Sequence, residues 1–527
     1  MALQIFSVNY QNLNVRLGAP PLYDVAIMGG ASGMTAGAIT KFYKSTISSA
    51  GVGPAADLGS FLLNQGGLDY VYIAAQTPLA GDALSALPVY HSVGSGAGTI
   101  AASGSPLDSY LLRVEILLTG SLTTAQIRYS LDDGFTFSSA ITISTTLALT
   151  TPQGGATGVT LTFTGSVGAF VQGDVYNLAV FAPQYVASGT GSISDLEAKI
   201  NTQGDISLLC IENTPNTGSA LDSVNLTSFQ GVLATIGPLL STAESNSKYQ
   251  ALFTGLPRSH AVLPAMMGSD GTTTFATAVT TAVTQTHDRF TGIGAGYVCL
   301  QSPQGYRAWR PSWWLDVLRQ LQNLNPRKTV ADWSSKPFSD YILACTPTVT
   351  TTIQDYTQRP LMYGCTYDEA ITASGSTGLL GPSGFLTLTS RNRQPDNYFW
   401  FSHPIAHTLS SSIFWESQNR LGVDTFIRAI EDGLASFYGQ EIQSKLDGTG
   451  QLSTAGAASV ENRVTADYLG PLVQKTWLKA WPPGSSMKYV SVHTDNNVAL
   501  TNKLIVDCNW PTPTYVYSFQ LQITAVF

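Results

Sequence analysis

From Tyr515 to Phe527 apolar and polar positions alternate. Tyr515, Tyr517, Phe519, Leu521, Ile523, Ala525 and Phe527 share one face, and the intervening positions are mostly polar. A period of two is that of a half-buried β-strand. Such a strand either closes its own sheet or is lent to the sheet of another chain. Pro511 and Pro513 stiffen the approach to it. A second alternating stretch, Phe6, Val8 and Tyr10 followed by Leu13, Val15 and Leu17, runs up to Pro20-Pro21. The pattern predicts two extended β arms, residues 1–20 and 511–527.

Between the arms the period changes several times. Val25–Met28 reads as a short apolar strand, a Gly/Ser-rich loop follows, then a helix over Ala55–Leu63 ended by Gly66-Gly67, then a strand at Tyr70–Ala74. From about residue 89 to 187 the chain is rich in Thr, Ser and Gly. Strands are predicted at Tyr110–Leu118, Ala125–Leu131, Phe135–Ile143, Val159–Phe163 and Asp174–Phe181, with a turn at Asp132-Asp133-Gly134. This block reads as a β-sandwich inserted into a βα pattern that stops before it and resumes after it.

The resumed pattern starts with a capping box at Ser194-Asp195-Leu196-Glu197. Strands are expected at Ile206–Glu212, Tyr249–Thr254 and Gly296–Leu300, and helices at Leu221–Leu233, Thr273–Phe290 and from Pro311 onward, the last with Trp314, Leu315, Leu318, Leu321 and Leu324 on one stripe. From about 385 a further α/β unit is read: strands at Phe385–Thr389 and Tyr398–Phe401, a helix over 424–440 capped by Asp424, then strands at Tyr489–His493 and Lys503–Asn509. The predicted fold class is therefore α/β multidomain. It comprises a mixed α/β core (21–88 and 188–384), an inserted all-β sandwich (89–187), a C-terminal α/β domain (385–510) and the two arms.

Composition changes the picture in one respect. Only 11% of the 527 residues are charged, against roughly 25% in ordinary soluble proteins. Hydrophobic residues make up 44% and the formal net charge is −8. A surface this poor in charge suits coverage by copies of itself; the plainer alternative is a stable β-rich monomer. The absence of a Lys/Arg cluster speaks against direct nucleic-acid binding. Met1–Pro21 lacks the basic and apolar regions of a signal peptide, and no apolar run approaches the ~20 residues that span a bilayer. Cys210, Cys299, Cys345, Cys365 and Cys508 lack CxxC spacing and read as buried free thiols of a protein folded in a reducing compartment, with a late-forming disulfide left open.

Candidate chemistry is sparse. There is no GxxxxGK[ST] phosphate loop and no G-x-S-x-G elbow. Gly29-Gly30-Ala31-Ser32-Gly33 follows a strand but lacks dinucleotide-binding spacing and reads as a flexible loop. His403 and His407 are spaced like a helical metal pair but flank Pro404 and lack a third ligand. Asp132-Asp133 is explained by a turn rather than by Ca²⁺, and His287-Asp288 by a helix end. Trp309, Trp313 and Trp314 read as core or interface packing before sugar or base stacking. Arg428, Glu431 and Asp432 lie off the apolar stripe of helix 424–440. They form a solvated face or, in an assembling protein, a docking surface. No catalytic, cofactor or metal residues are assigned.

The order of these parts resembles the contractile tail sheath proteins of bacteriophages. Val8-Asn9-Tyr10-Gln11-Asn12 through Val25–Met28 is similar to the sheath N-terminal arm and first strand. Gly384 to Arg393 followed by Tyr398-Phe399-Trp400 is similar to the strand pair that opens the sheath C-terminal domain. Asp495 to Val498 and Lys503 to Asp507 resemble its last hairpin, and the final strand its C-terminal arm. The 89–187 block resembles the variable outer domains of that family, although it lies early in the chain.

The resemblance implies a virion structural protein without cofactor and without enzymatic activity. It would be assembled in the host bacterial cytoplasm as hexameric stacked rings around a tail tube, and would contract to drive the tube through the host envelope. Partners implied are other copies, the tail tube protein, and baseplate and tail terminator proteins, with no membrane insertion. Phe6, Val8, Tyr10, Tyr515, Tyr517, Phe519, Leu521 and Ile523 would link subunits by strand exchange. The 385–510 domain would face the tube, with Arg428, Glu431 and Asp432 as contacts, and the sandwich would face outward. Another tail component, tube or baseplate, is an alternative, as is a glycan-binding or hydrolytic tail protein.

Overall fold

The computed structural model describes residues 24–78, 90–92, 96–180, 185–204, 206–212, 223–255, 286–294, 297–311, 313–323, 388–390, 399–401, 417–437, 444–474, 487–495, 497–501, 503–509 and 520–526, with a few single positions between them. They fall into two compact units. One runs up to Gln322 and includes 388–390 and 399–401; the other holds the described residues from Ser417 onward.

The first unit begins with β1 (Asp24–Gly29), β2 (Ile39–Tyr43), α1 (Pro54–Gln65) and β3 (Tyr70–Ala75). The chain then makes eight strands in succession: β4 (Tyr90–Ser92), β5 (Thr99–Gly104), β6 (Tyr110–Leu118), β7 (Gln126–Ser130), β8 (Ile141–Thr142), β9 (Thr146–Thr150), β10 (Ala156–Thr164) and β11 (Val175–Val180). It resumes with α2 (Ile193–Ile200), β12 (Ile206–Ile211), α3 (Ser223–Ser245), β13 (Ala251–Gly255) and β14 (Phe290–Gly294). A hairpin, β15 (Tyr297–Gln301) and β16 (Arg307–Pro311), leads to α4 (Trp313–Asn323). A short antiparallel pair, β17 (Leu388–Ser390) and β18 (Phe399–Phe401), also belongs to this unit.

A six-stranded sheet in the order β14–β13–β12–β1–β3–β2 forms one layer. Its pairings are parallel except β2 with β3. Val25–Met28 and Ile206–Ile211 are wholly buried, which is why these strands are unbroken apolar runs. Edge strand β2 alternates instead and was missed by its brevity. Helix α1 begins at Pro54, in the first helical position where the missing N–H costs nothing. Gly59 lets it lie close on the sheet: an added Cβ there would meet Ile47 and Ile73 at 3.1 Å.

The eight inserted strands make two antiparallel sheets, β4–β11–β6–β7–β8 and β5–β10–β9. Inward residues of both, among them Ile100, Leu112, Val114, Ile127, Leu161 and Phe163, share one core. The alternation in β6 and β10 is the burial pattern of strands with one wet face.

The second unit holds α5 (Ser417–Ala435), α6 (Thr454–Arg463), a π-helical turn over Val464–Leu469, α7 (Gly470–Gln474), β19 (Val490–Val492), α8 (Val498–Thr501), β20 (Lys503–Asn509) and β21 (Gln520–Val526). The three strands form one antiparallel sheet in chain order. Ser453 caps α6, accepting from the Gly456 N–H at 3.0 Å.

Several expectations need correction. Asp424 is no N-cap: it lies inside α5, buried, paired with Arg420 one turn earlier at 3.1 Å. The apolar stripe had masked a polar first turn of the helix. The α2 cap is Ser192, whose side chain accepts from the Asp195 N–H, and not Ser194; the Ser-Ile-Ser sequence allowed a two-residue slip. Phe290 opens β14 rather than ending a helix; residues 273–285 of that predicted helix lie outside the described residues. Most of Phe135–Ile143 is turn and loop, because Asp132 gathers the chain there, as described below. The 29–33 loop is not slack. Ser32 and Gly33 donate to Val52 O and Ala50 O at 2.9 Å, and a Cβ on Gly33 would lie 2.1 Å from Ser49 O.

Candidate functional sites: the sheet crevice and the terminal sheet

In doubly wound sheets ligands bind beyond the carboxyl ends of the strands, where the strand order reverses. Here that point lies between β1 and β12. Gly29 and Gly30 follow β1, and Glu212 follows β12, its N–H donating to Met28 O at 2.9 Å. The crevice is filled by the protein's own side chains. A Cβ on Gly29 would lie 2.9 Å from Glu212 Cβ, and one on Gly30 would lie 2.7 Å from the Tyr185 hydroxyl oxygen. Trp314 donates its indole N–H to Glu212 Oε1. Trp313 covers the neighbouring rim, where Cβ atoms on Gly255 and Gly294 would lie 2.7 and 2.9 Å from its side chain. The packing reading of these two tryptophans holds: each is 1% exposed.

Behind this plug sits a buried charge cluster. Arg310 of β16 donates from Nη1 to Asp108 Oδ1 at 2.7 Å and from Nη2 to Asp108 Oδ2 and to Asp57 Oδ2. Tyr306 donates its hydroxyl to Asp108. Burial works against the Arg310 charge, but Asp108 and Asp57 outweigh it and hold the guanidinium charged. Burial pushes the Asp57 carboxyl up to about 6 against the pull of Arg310. It pushes Glu212 up to about 8, with Arg310 and the Trp314 hydrogen bond opposing. Sequence reasoning missed this cluster because its members are 253 positions apart at the extreme; the signal available was a set of charges in apolar runs of a charge-poor chain.

Asp132 is likewise explained without an ion. Its Oδ1 accepts from Ser130 Oγ and Thr136 N, and its Oδ2 from Thr136 Oγ1 and the Arg307 N–H, at 2.7 to 3.0 Å. His287 precedes β14 and bonds Ser241 of α3 at 2.8 Å through Nε2. Burial lowers its basicity. Cys210 and Cys508 are buried free thiols. His403, His407, Cys345 and Cys365 lie outside the described residues. Among the described residues no group of three or more His, Cys, Asp or Glu could hold a metal ion, and no helix is long and apolar enough to cross a membrane.

Of the predicted arm residues, Leu521 and Ile523 fall in the terminal sheet. Strand β21 pairs with β20 over seven residues, from Lys503↔Val526 to Asn509↔Gln520, with Leu521 opposite Cys508 and Ile523 opposite Val506. Among the described residues it stands at the edge of this sheet. The opposite edge strand, β19, is sealed: Glu461 Oε1 accepts from the Val492 N–H at 2.9 Å, and its Oε2 pairs with Lys488 at 2.5 Å. His493, just past β19, contacts Asp507 of β20 at 2.9 Å. Tyr515, Tyr517 and Phe519, like Phe6, Val8 and Tyr10, lie outside the described residues. On α5, Arg428 and Glu431 are half-buried and Asp432 is exposed, and all three have interaction partners.

No protein-family model and no curated protein matches this chain. Among solved structures it is similar to the sheath tail protein of Listeria innocua, at 12% identity and a TM-score of 0.45, covering 97% of this chain and 96% of that one. A sheath tail protein of Desulfitobacterium hafniense is similar at 10% identity and a TM-score of 0.45, covering 97% and 98%.

Proposed function

We propose that the chain is a structural, non-enzymatic subunit of a contractile phage tail sheath, polymerising as hexameric stacked rings around a tail tube. The observation that carries the reading is β21: an alternating strand that, among the described residues, stands at a sheet edge held by one neighbour. An identical strand from another copy presents the same seven partners to β20, so exchange trades equal hydrogen bonds and needs only a freed linker. The Pro-flanked approach, the alternating 1–20 arm and the low charge suit subunits that stay linked while their faces slide.

In this reading the inserted two-sheet module faces outward and the unit containing α5 faces the tube, with Arg428, Glu431 and Asp432 as contacts. Tube, baseplate and terminator proteins are the further partners, and the virion is the destination. Contraction draws on packing between two arrangements of the subunits, without a nucleotide. A crevice plugged by Trp313, Trp314 and Tyr185 supports this over a hydrolytic or glycan-binding role.

Deleting residues 515–527 is expected to leave a soluble, folded monomer that forms no rings or tubes in electron micrographs. Normal tubes from the truncated chain would sink the tether.

A further inference from the structure

The β15–β16 hairpin touches both layers of the first unit. Toward the two-sheet module, Tyr306 and Ala308 enter its core. The Tyr306 ring lies 5.5 Å from that of Tyr110, and the Arg307 N–H is held by Asp132 at 3.0 Å. The Arg307 guanidinium stacks 4.1 Å over Phe135. Toward the α/β layer, Arg310 pairs with Asp57 of α1, and Gln304 Nε2 donates to Gly51 O at 3.4 Å. Arg310 is bonded to both layers through charge, to Asp57 on one side and Asp108 on the other.

The charges around it do not balance. Glu212 faces Arg310 of β16, Asp57 of α1, Asp108 of the turn before β6, Trp314 of α4, Tyr185 ahead of α2, and the Cys210 thiol of its own strand. Tyr306 and Tyr110 complete the shell around Asp108 and Asp57. One guanidinium therefore serves three buried carboxyl groups. Ionising all three would leave two uncompensated anions out of water, which a folded protein avoids by holding a proton or by opening.

We propose that the β15–β16 hairpin is a proton-operated strap: with a proton held by Glu212 or Asp57 it locks the two-sheet module onto the α/β layer, and when that proton is lost it releases the module while each part stays folded. Glu212 is the group whose charge decides this above pH 6, since burial raises it to about 8 while Asp57 lies near 6. The sign follows from linkage. The closed strap keeps Glu212 neutral, and the open one returns it to the ordinary carboxylate range, so opening releases a proton and is favoured as pH rises. The effect levels off once Glu212 ionises in the closed form too.

Hydrogen exchange on the full-length protein tests this. Corrected for intrinsic rates, exchange of the 297–311 amides is expected to rise about tenfold per pH unit between roughly 6 and 8 and then flatten. Amides of β1, β12, β6 and β10 should stay protected throughout. In Glu212→Gln, which keeps an acceptor for the Trp314 N–H, the rise should vanish. A variant that keeps the wild-type slope overturns the proposal, as does strap exchange that tracks β1 and β10, since that is global unfolding. Should the variant fail to fold, the wild-type profile decides alone: strap exchange unchanged from pH 6 to 8 overturns it.

Discussion

The six-stranded sheet and the terminal three-stranded sheet handle their exposed backbone in opposite ways. At the carboxyl ends of β1 and β12 the chain invests buried polar groups: Glu212, Asp57, Asp108 and Arg310, roofed by Trp313 and Trp314. In the terminal sheet a single carboxylate, Glu461, seals β19, while β21 at the other edge is tied, among the described residues, to β20 alone. The first arrangement holds one conformation for as long as it keeps its proton, because an uncompensated charge there is stranded in low dielectric. The second keeps a strand whose bonds can be re-made identically with another copy. If β21 exchanges as proposed, the buried charges of the first unit and the exchangeable strand of the second serve different ends in one chain.

The sharpest way to break that contrast is to make β21 unexchangeable. Leu521 stands opposite Cys508 in the β20–β21 ladder, within the Cα spacing a disulfide accepts. Leu521→Cys under oxidising conditions is expected to staple the strand into its own sheet and abolish tube formation, with reductant restoring it. Electron microscopy before and after reduction reads the outcome. Assembly that is indifferent to oxidation, with the disulfide verified by mass spectrometry, would remove exchange from the mechanism.

The next largest effect lies in the other unit. Arg310→Met is expected to cost about 3–5 kcal/mol at pH 8, because Asp57 and Asp108 then stay buried without their cation. At pH 5 the loss should shrink: without the guanidinium that pulls it down, the already raised Asp57 carboxyl takes up a proton. Denaturant unfolding of the full chain at the two pH values measures this. A loss equal at both would show that guanidinium packing, not charge, is what matters.

How much of this was legible in the sequence divides along the same line. Periodic elements were readable: Tyr110–Leu118 and Lys503–Asn509 have the predicted bounds, and the parallel layer follows from the apolar runs at Val25–Met28 and Ile206–Ile211. The alternation of the last strand was equally plain, but its partner was not, since alternation fixes a face and says nothing of a neighbour. The Asp57–Arg310–Asp108 cluster was illegible, because its members lie far apart in the sequence and only tertiary contact makes the charges compatible. Asp424 failed for the related reason that a buried i, i+4 partner, Arg420, reads like a cap when the helix start is set by apolar stripe alone.

The smallest expected effect tests the sealed edge. Glu461 accepts from the Val492 N–H inside the protein and pairs with Lys488 nearer the surface. Lys488 is 60% exposed, so that pair contributes little; the buried N–H matters more, because leaving it unsatisfied costs about 1–3 kcal/mol. Glu461→Ala should therefore destabilise the terminal sheet by that amount, visible as faster exchange at Val490–Val492, with the first unit unchanged. Glu461→Gln, which keeps one acceptor oxygen, should lose less than half as much. The alanine variant also frees the β19 edge to compete with β20 for incoming strands, so its assemblies should be fewer and irregular, whereas the glutamine variant should assemble normally. If both variants behave alike, the Lys488 charge rather than the N–H seal is what closes that edge.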